Sequence, residues 1–260
     1  MVQSLSKLEW FNSKLRKNFL VPDKNQFPKF TGTSYDPTIF AIINAAYIVK
    51  DKLSDFFRVV EPLIVFDKDK NILKIDNSQS EKIKEILFHD KMLSDLTLFE
   101  LNPKGTEHLD VLRQLGAEIS DETENIPAAG SNAIKLKNWK RGFNKKYDIT
   151  FSNGLMDENS GIKYEKHTAV FSGLELYTLF ANITKKNGFS IHSNGSVISS
   201  LYETFFQFIG FNVIEYFRTN DENFKFTMIM QKINKKETNF DEFFYIYNEL
   251  KRRWPTRYGN

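Results

Sequence analysis

The chain has 260 residues, with 36 Lys and Arg against 33 Asp and Glu, a net charge of +3, and no cysteine. Disulfides, thiolate zinc sites and a cysteine nucleophile are therefore excluded, and so weak a basic balance argues against a dedicated nucleic-acid binder. An apolar share of 41%, including 25 Phe, suffices for a packed core, and the length suits one core domain with a sizeable extension.

Residues 1–93 read as a mostly helical extension. Ser6 to Phe19 is a short amphipathic candidate. A stronger helix starts at Asp36-Pro37, where Asp can cap and Pro is pre-set for the first turn, and carries Ile39, Phe40, Ile42, Ile43, Ala46 and Ile48 on towards Phe56 and Phe57. Pro62 to Phe66 and Ile72 to Ile75 flank a polar turn and predict a β-hairpin, and Ser80 to Leu93 returns to a helical pattern.

The character changes at Asp95, where short apolar strands begin to alternate with helices, the pattern of a mainly parallel sheet covered on both faces. Leu96 to Leu101 is the first strand, Thr106 to Leu115 a helix closed by Gly116, and Ala117 to Ser120 a second strand. Ile134 to Leu136 is a weak third strand and Tyr147 to Asn153 a stronger one, running into Gly154. Ser172 can cap a helix over 173–186 with Leu176, Leu179, Phe180 and Ile183 on one face, closed by Gly188 as a residue able to turn left-handed. Phe189 to Ser193, Phe211 to Phe217 and Phe224 to Lys232 are further strands, with a helix over 201–209 between the first two, and Phe240 to Arg253 is a closing amphipathic helix.

This order resembles the class I SAM-dependent methyltransferases. Phe99 to Leu109 occupies the place of that family's first strand, acidic residue and glycine-rich loop; Tyr147 to Leu155 is similar to its fourth strand and the loop beside the methyl group. Asn187 to Ser193 resembles the fifth strand, and the last two strands the antiparallel hairpin that closes the sheet. The resemblance implies an α/β fold with a Rossmann-like, doubly wound, mainly parallel sheet and an antiparallel final strand over 94–233, followed by a helix in 234–260. It implies S-adenosyl-L-methionine as cofactor, with Glu100, Asn102, Gly105, Asp121, Glu122, Asn138, Asn153 and Gly154 as its contacts. Asn102 and Lys104 stand where the family has glycine, the residue that best lets backbone N–H groups approach a ligand.

Methyl transfer is an in-line displacement, so the protein must align the acceptor, and a base is needed only where the acceptor starts protonated. Asp157 and Glu158 are the candidates to orient it and His167 to take a proton, each competing with a solvated-loop role. Tyr35, in the lid-like segment Thr31 to Tyr35, and His192, at a strand end, are the candidate substrate contacts. The expected activity is methyl transfer to an oxygen or nitrogen of a small molecule, a metabolite or surface-glycan precursor, without a nucleic-acid partner. Two rival readings stay open: a methyltransferase-like fold kept as a binding or assembly module, and a nucleotide-sugar glycosyltransferase reading of Asp67 and Asp69. The four histidines, at 89, 108, 167 and 192, have no metal-ligand spacing, so no metal is expected. The N-terminus has no apolar signal core and no stretch reaches the ~20 apolar residues that span a bilayer. A cytoplasmic protein without a membrane partner follows, with a homodimer as the candidate assembly.

Overall fold

The computed structural model describes residues 27–61, 64–67, 72–100, 106–119, 145–153, 162–163, 170–171, 173–194, 206–219 and 225–234, with isolated positions between 242 and 253. The N-terminal part contributes α1 (Asp36–Val49), α2 (Leu53–Val60), an antiparallel hairpin of β1 (Ile64–Asp67) and β2 (Ile72–Ile75), and α3 (Ser80–His89). The single long helix expected from Asp36 to Phe57 is two. Asp51 turns left-handed at φ 55°, and the Lys52 N–H reaches back to the Tyr47 carbonyl at 2.8 Å. That bond closes α1 as a Schellman-type end, with Asp in the seat that glycine usually fills.

A six-stranded sheet follows. Its strands are β3 (Thr97–Glu100), β4 (Glu118–Ile119), β5 (Tyr147–Asn153), β8 (Thr184–Asn194), β9 (Phe211–Arg218) and β10 (Phe226–Lys232), in the order β4-β3-β5-β8-β10-β9. A separate short hairpin pairs β6 (Ile162–Lys163) with β7 (Val170–Phe171). β4, β3, β5 and β8 are mutually parallel, and β10 runs antiparallel to both β8 and β9. The expected α/β class, with a mainly parallel sheet and a reversed last strand, is therefore observed.

Two helices in the loops around this sheet, α4 (Glu107–Gln114) and α5 (Gly173–Ile183), lie on opposite faces. On one face Leu98, Ile149, Phe151, Phe189, Ile191 and Ile229 form a continuous core with Ile39, Phe40 and Ile43 of α1 and Leu109 and Leu112 of α4. α1 is buried from Asp36 to Tyr47, as a helix that is apolar nearly all round must be. On the other face the core is aromatic: Phe99 packs on Tyr147 and Phe180, and Tyr177 on Phe206. Gly116 behaves as expected, left-handed at φ 93° at the end of α4.

Gly188 does something different from the left-handed turn expected of it. α5 stops at Ile183 and passes straight into β8, and the left-handed residue is Asn187, at φ 67°. At Gly188 a Cβ would sit 2.5 Å from the carbonyl oxygen of Asp148, so glycine is required because β8 passes too close to the β5 backbone for any side chain. Gly188→Ala is expected to destabilise the protein by about 2 kcal/mol, the usual scale of an overpacked site. Urea unfolding would read it, and an unchanged midpoint would show that the strands separate freely there.

Candidate functional site

In an open α/β sheet the ligand crevice lies outside the carboxyl ends of the strands, where the chain departs to opposite sides from adjacent strands. Here that point is between β3 and β5, because β4 lies on one side of β3 and the remaining strands extend beyond β5. Both of these strands end in a polar residue, Glu100 and Asn153, each nearly fully buried. Period-two alternation brings Leu98 and Glu100, Phe151 and Asn153, and Ile191 and Ser193 to the face that α1 covers.

These ends are joined by hydrogen bonds. Asn153 donates from Nδ2 to Glu100 Oε1 at 2.9 Å, and its Oδ1 accepts from Thr38 Oγ1 of α1 at 2.8 Å. Thr38 is also 2.6 Å from Ser193 Oγ, which is 2.8 Å from Thr227 Oγ1 of β10. A hydroxyl has one proton, so once Thr38 donates to Asn153 the direction of the rest is set: Thr227 to Ser193, Ser193 to Thr38. The chain of donors therefore terminates on the Glu100 carboxylate, and such chains polarise one another.

The other Glu100 oxygen, Oε2, lies 2.6 Å from Nε2 of His108 on the first turn of α4. An ionised carboxylate only accepts, so the Nε2 proton belongs to the ring and, in the neutral imidazole, Nδ1 carries a lone pair. The His108 side chain is 1% exposed, and Nδ1 is buried without a hydrogen-bond partner among the described residues. Tyr35 stacks on the ring at 4.2 Å and 18°, while the ring of Phe151 meets it edge-on at 6.4 Å. Burial, then the charges of Glu100 and Glu107, raise the Tyr35 phenol above its usual range and keep it protonated.

Asp36 is what places Tyr35. The expected helix-capping role is not what its side chain performs: Tyr35 occupies the cap position, and no side-chain cap bond is made. Asp36 Oδ1 instead accepts from the N–H groups of Phe30 at 3.0 Å and Thr31 at 2.7 Å and from the Thr31 hydroxyl at 2.9 Å, while Oδ2 accepts from the Gly32 N–H at 3.0 Å. The carboxylate ties the preceding loop into a clasp, with Gly32 left-handed at φ 74°. Burial raises the Asp36 carboxyl above its ordinary range, and the four donors only partly offset it.

His192 lies on the opposite face. Its Nδ1 is 2.9 Å from Ser152 Oγ and its Nε2 2.8 Å from Ser190 Oγ, with Tyr177 and Phe180 edge-on around the ring. Burial holds its pKa down at about 3, so the ring is neutral. The structure therefore brings Glu100, Asn153 and Tyr35 into one cluster and puts His192 across the sheet from it. Asn102, Gly105, Asp121, Glu122, Asn138, Gly154, Asp157, Glu158 and His167 lie outside the described residues. Thr38, His108, Ser193 and Thr227 went unread from the sequence; alternation from Ile191 points to Ser193, but nothing local marks the others.

No protein-family model matches the chain, and neither does any curated protein. Solved structures do. One is a candidate RNA methyltransferase from Pyrococcus horikoshii, 16% identical, aligned over 61% of this chain and 84% of its own, with a TM-score of 0.34. Another is a candidate methyltransferase solved with SAH, 12% identical over 62% of this chain, with a TM-score of 0.38. A third is the 16S rRNA N2 G1207 methyltransferase of T. thermophilus, solved with AdoMet and guanosine, 13% identical over 62% of this chain, with a TM-score of 0.35. The chain spans 50% of the second and 44% of the third. In fold the chain resembles the class I SAM-dependent methyltransferases. Similarity of this order leaves the chemistry to the residues themselves.

One expectation is corrected by these neighbours. Nucleic acid does not stand excluded as a partner, since two of the three are named for RNA. A whole-chain charge of +3 sums acidic and basic regions and says nothing about a local basic surface, so it is no ground for the exclusion. Among the described residues no helix is long and apolar enough to cross a membrane.

Proposed function

We propose that the chain is a SAM-dependent methyltransferase acting on an oxygen or nitrogen of its acceptor, with the cofactor in the crevice between β3 and β5. The observation that carries this is the buried polar cluster at the strand ends of the switch point, centred on Glu100 and Asn153. SAM is a cation carrying an ammonium group and ribose hydroxyls, and the cluster offers a carboxylate, an amide and an imidazole, an acceptor-rich set that fits it. When bound, SAM supplies an electrophilic methyl carbon on a sulfonium.

The chain's own part is to bind, orient and exclude water. Glu100 favours positive charge in the crevice, and Tyr35 closes the side towards α1. Asn102, Gly105, Asp121, Glu122, Asn138 and Gly154 complete the cofactor contacts in this proposal, and Asp157, Glu158 and His167 are assigned to the acceptor side. Calorimetric titration with S-adenosylhomocysteine tests it. Saturable binding is expected, weakened about tenfold or more by Glu100→Ala, as fits the loss of a charge-assisted contact. Absence of binding at millimolar ligand would reject the reading. Transfer of labelled methyl groups to small-metabolite and RNA pools, run side by side, then identifies the acceptor class.

A further inference from the structure

A buried ring nitrogen without a partner is costly, and the structure tolerates one at the centre of the proposed cofactor crevice. His108 is not loosely placed. Glu100 holds Nε2 at 2.6 Å, the Tyr35 ring lies flat on one face at 4.2 Å, and the edge of Phe151 bounds it elsewhere. The two aromatic rings fix the orientation of the imidazole, the carboxylate calls for a proton on Nε2, and all three contacts leave Nδ1 unused, buried and unpaired among the described residues. An orphaned acceptor of this kind loses its hydration without compensation until a donor reaches it.

The direct acceptor in the crevice is equally telling. Both oxygens of Glu100 already face donors, one from His108 and one from Asn153, and its side chain is 2% exposed. Asn153 is used at both ends of its amide. Every polar atom of these two groups therefore already has a partner, whereas His108 Nδ1 has none among the described residues. The charge of Glu100 can still act on a ligand through the ring, because a carboxylate hydrogen-bonded to one imidazole nitrogen makes the other a better acceptor.

We propose that His108 Nδ1 is the ligand-recognising acceptor of this crevice, taking a hydrogen bond from an N–H or O–H donor of the bound cofactor, with Glu100 as its positioning residue and Tyr35 as the movable cover. The proposal rests on the SAM reading and sharpens it. Tyr35 is suited to move, since it lies only partly buried at the end of the loop clasped by Asp36. The clasp gives the loop a defined closed position from which the ring can swing aside while α1 stays in the core.

The test is nitrogen NMR of the full-length protein labelled with 15N-histidine, titrated with S-adenosylhomocysteine while binding is followed in parallel by calorimetry. The His108 pair is assigned by its loss in His108→Asn or, should that variant fail to fold, through ring-proton contacts with Tyr35. The expected result is an upfield movement of the Nδ1 resonance from the position of a bare acceptor to that of a hydrogen-bonded one, with Nε2 remaining protonated. Adenosine and L-methionine, titrated separately, name the donor: movement with the first assigns the nucleoside end, and movement with the second assigns the ammonium. Binding of S-adenosylhomocysteine with an unmoved Nδ1 resonance overturns this inference and leaves the methyltransferase reading standing. Absence of binding overturns both.

Discussion

Between pH 6.5 and 4.5 the protein is expected to lose about 2.5 kcal/mol of unfolding free energy through His192 alone. The ring is fully buried between Ser152 and Ser190 on one side and Tyr177 and Phe180 on the other, and burial depresses its pKa from 6.5 to about 3. Well above pH 6.5 the imidazole is neutral in both the folded and the unfolded chain and contributes no pH dependence. Below it, the unfolded chain takes up a proton that the folded ring refuses. Stability then falls by about 1.4 kcal/mol per pH unit until the folded ring itself titrates. Carboxylates cancel when the wild type and a His192 variant are compared, among them Asp36, which burial raises, and Asp148. Burial tends to raise the Asp148 carboxyl, but hydrogen bonds from Thr97 and Lys185 bring it below its usual range. Urea unfolding of the wild type and His192→Gln across this window would decide the matter. The variant should start lower by about 2–4 kcal/mol, because two buried hydroxyls lose a shared partner, and should have a visibly shallower slope. Parallel slopes would mean that the ring is reached by water.

The strands that build this core were legible because each obeys a local rule. β5 runs from Tyr147 to Asn153 as read, since its sequence alternates apolar and polar residues from Tyr147 to Ser152. β8 was read as starting five residues too late, because Thr184 to Gly188 looks helical and charged in isolation. In the fold Lys185 pairs with Asp148, and Gly188 is pressed against the Asp148 carbonyl, so the neighbouring strand overrides local preference. The site divides in the same way. Glu100 and Asn153 could be found as polar residues ending apolar strands. Thr38 lies 115 positions from its partner Asn153, and His108 takes its meaning from Glu100 beneath it and Tyr35 above it. Asp36 was misread for a related reason: an Asp beside Pro at a helix start satisfies the capping pattern, and only the path of the preceding loop shows which N–H groups its carboxylate meets.

The Glu100–Asn153 contact supports a sharper experiment than deletion of either residue. Asn153→Asp replaces an N–H donor with an oxygen 2.9 Å from a buried carboxylate oxygen, while Thr38 can still donate to the other oxygen of the new side chain. Two acceptors then face each other with no donor between them, and two negative charges cannot share so dry a site. A loss of about 3–5 kcal/mol of stability is expected at neutral pH, the scale of an uncompensated buried charge. As the pH falls, the two carboxyls can hold one proton between them and restore an O–H···O contact, so the deficit relative to wild type should narrow. That direction is opposite to the acid weakening from His192, which is common to both proteins and cancels in the difference. Glu100→Gln/Asn153→Asp supplies the cross-check. It exchanges acid and amide, restoring one charge, one donor and a hydrogen bond of the same length, and the introduced glutamine retains an oxygen for the His108 N–H. The double variant should recover about 2–3 kcal/mol beyond the sum of its parts, as directly contacting residues do. Additive losses would show that Asn153 is held by α1 through Thr38 alone, and that the acid at the end of β3 does not depend on it.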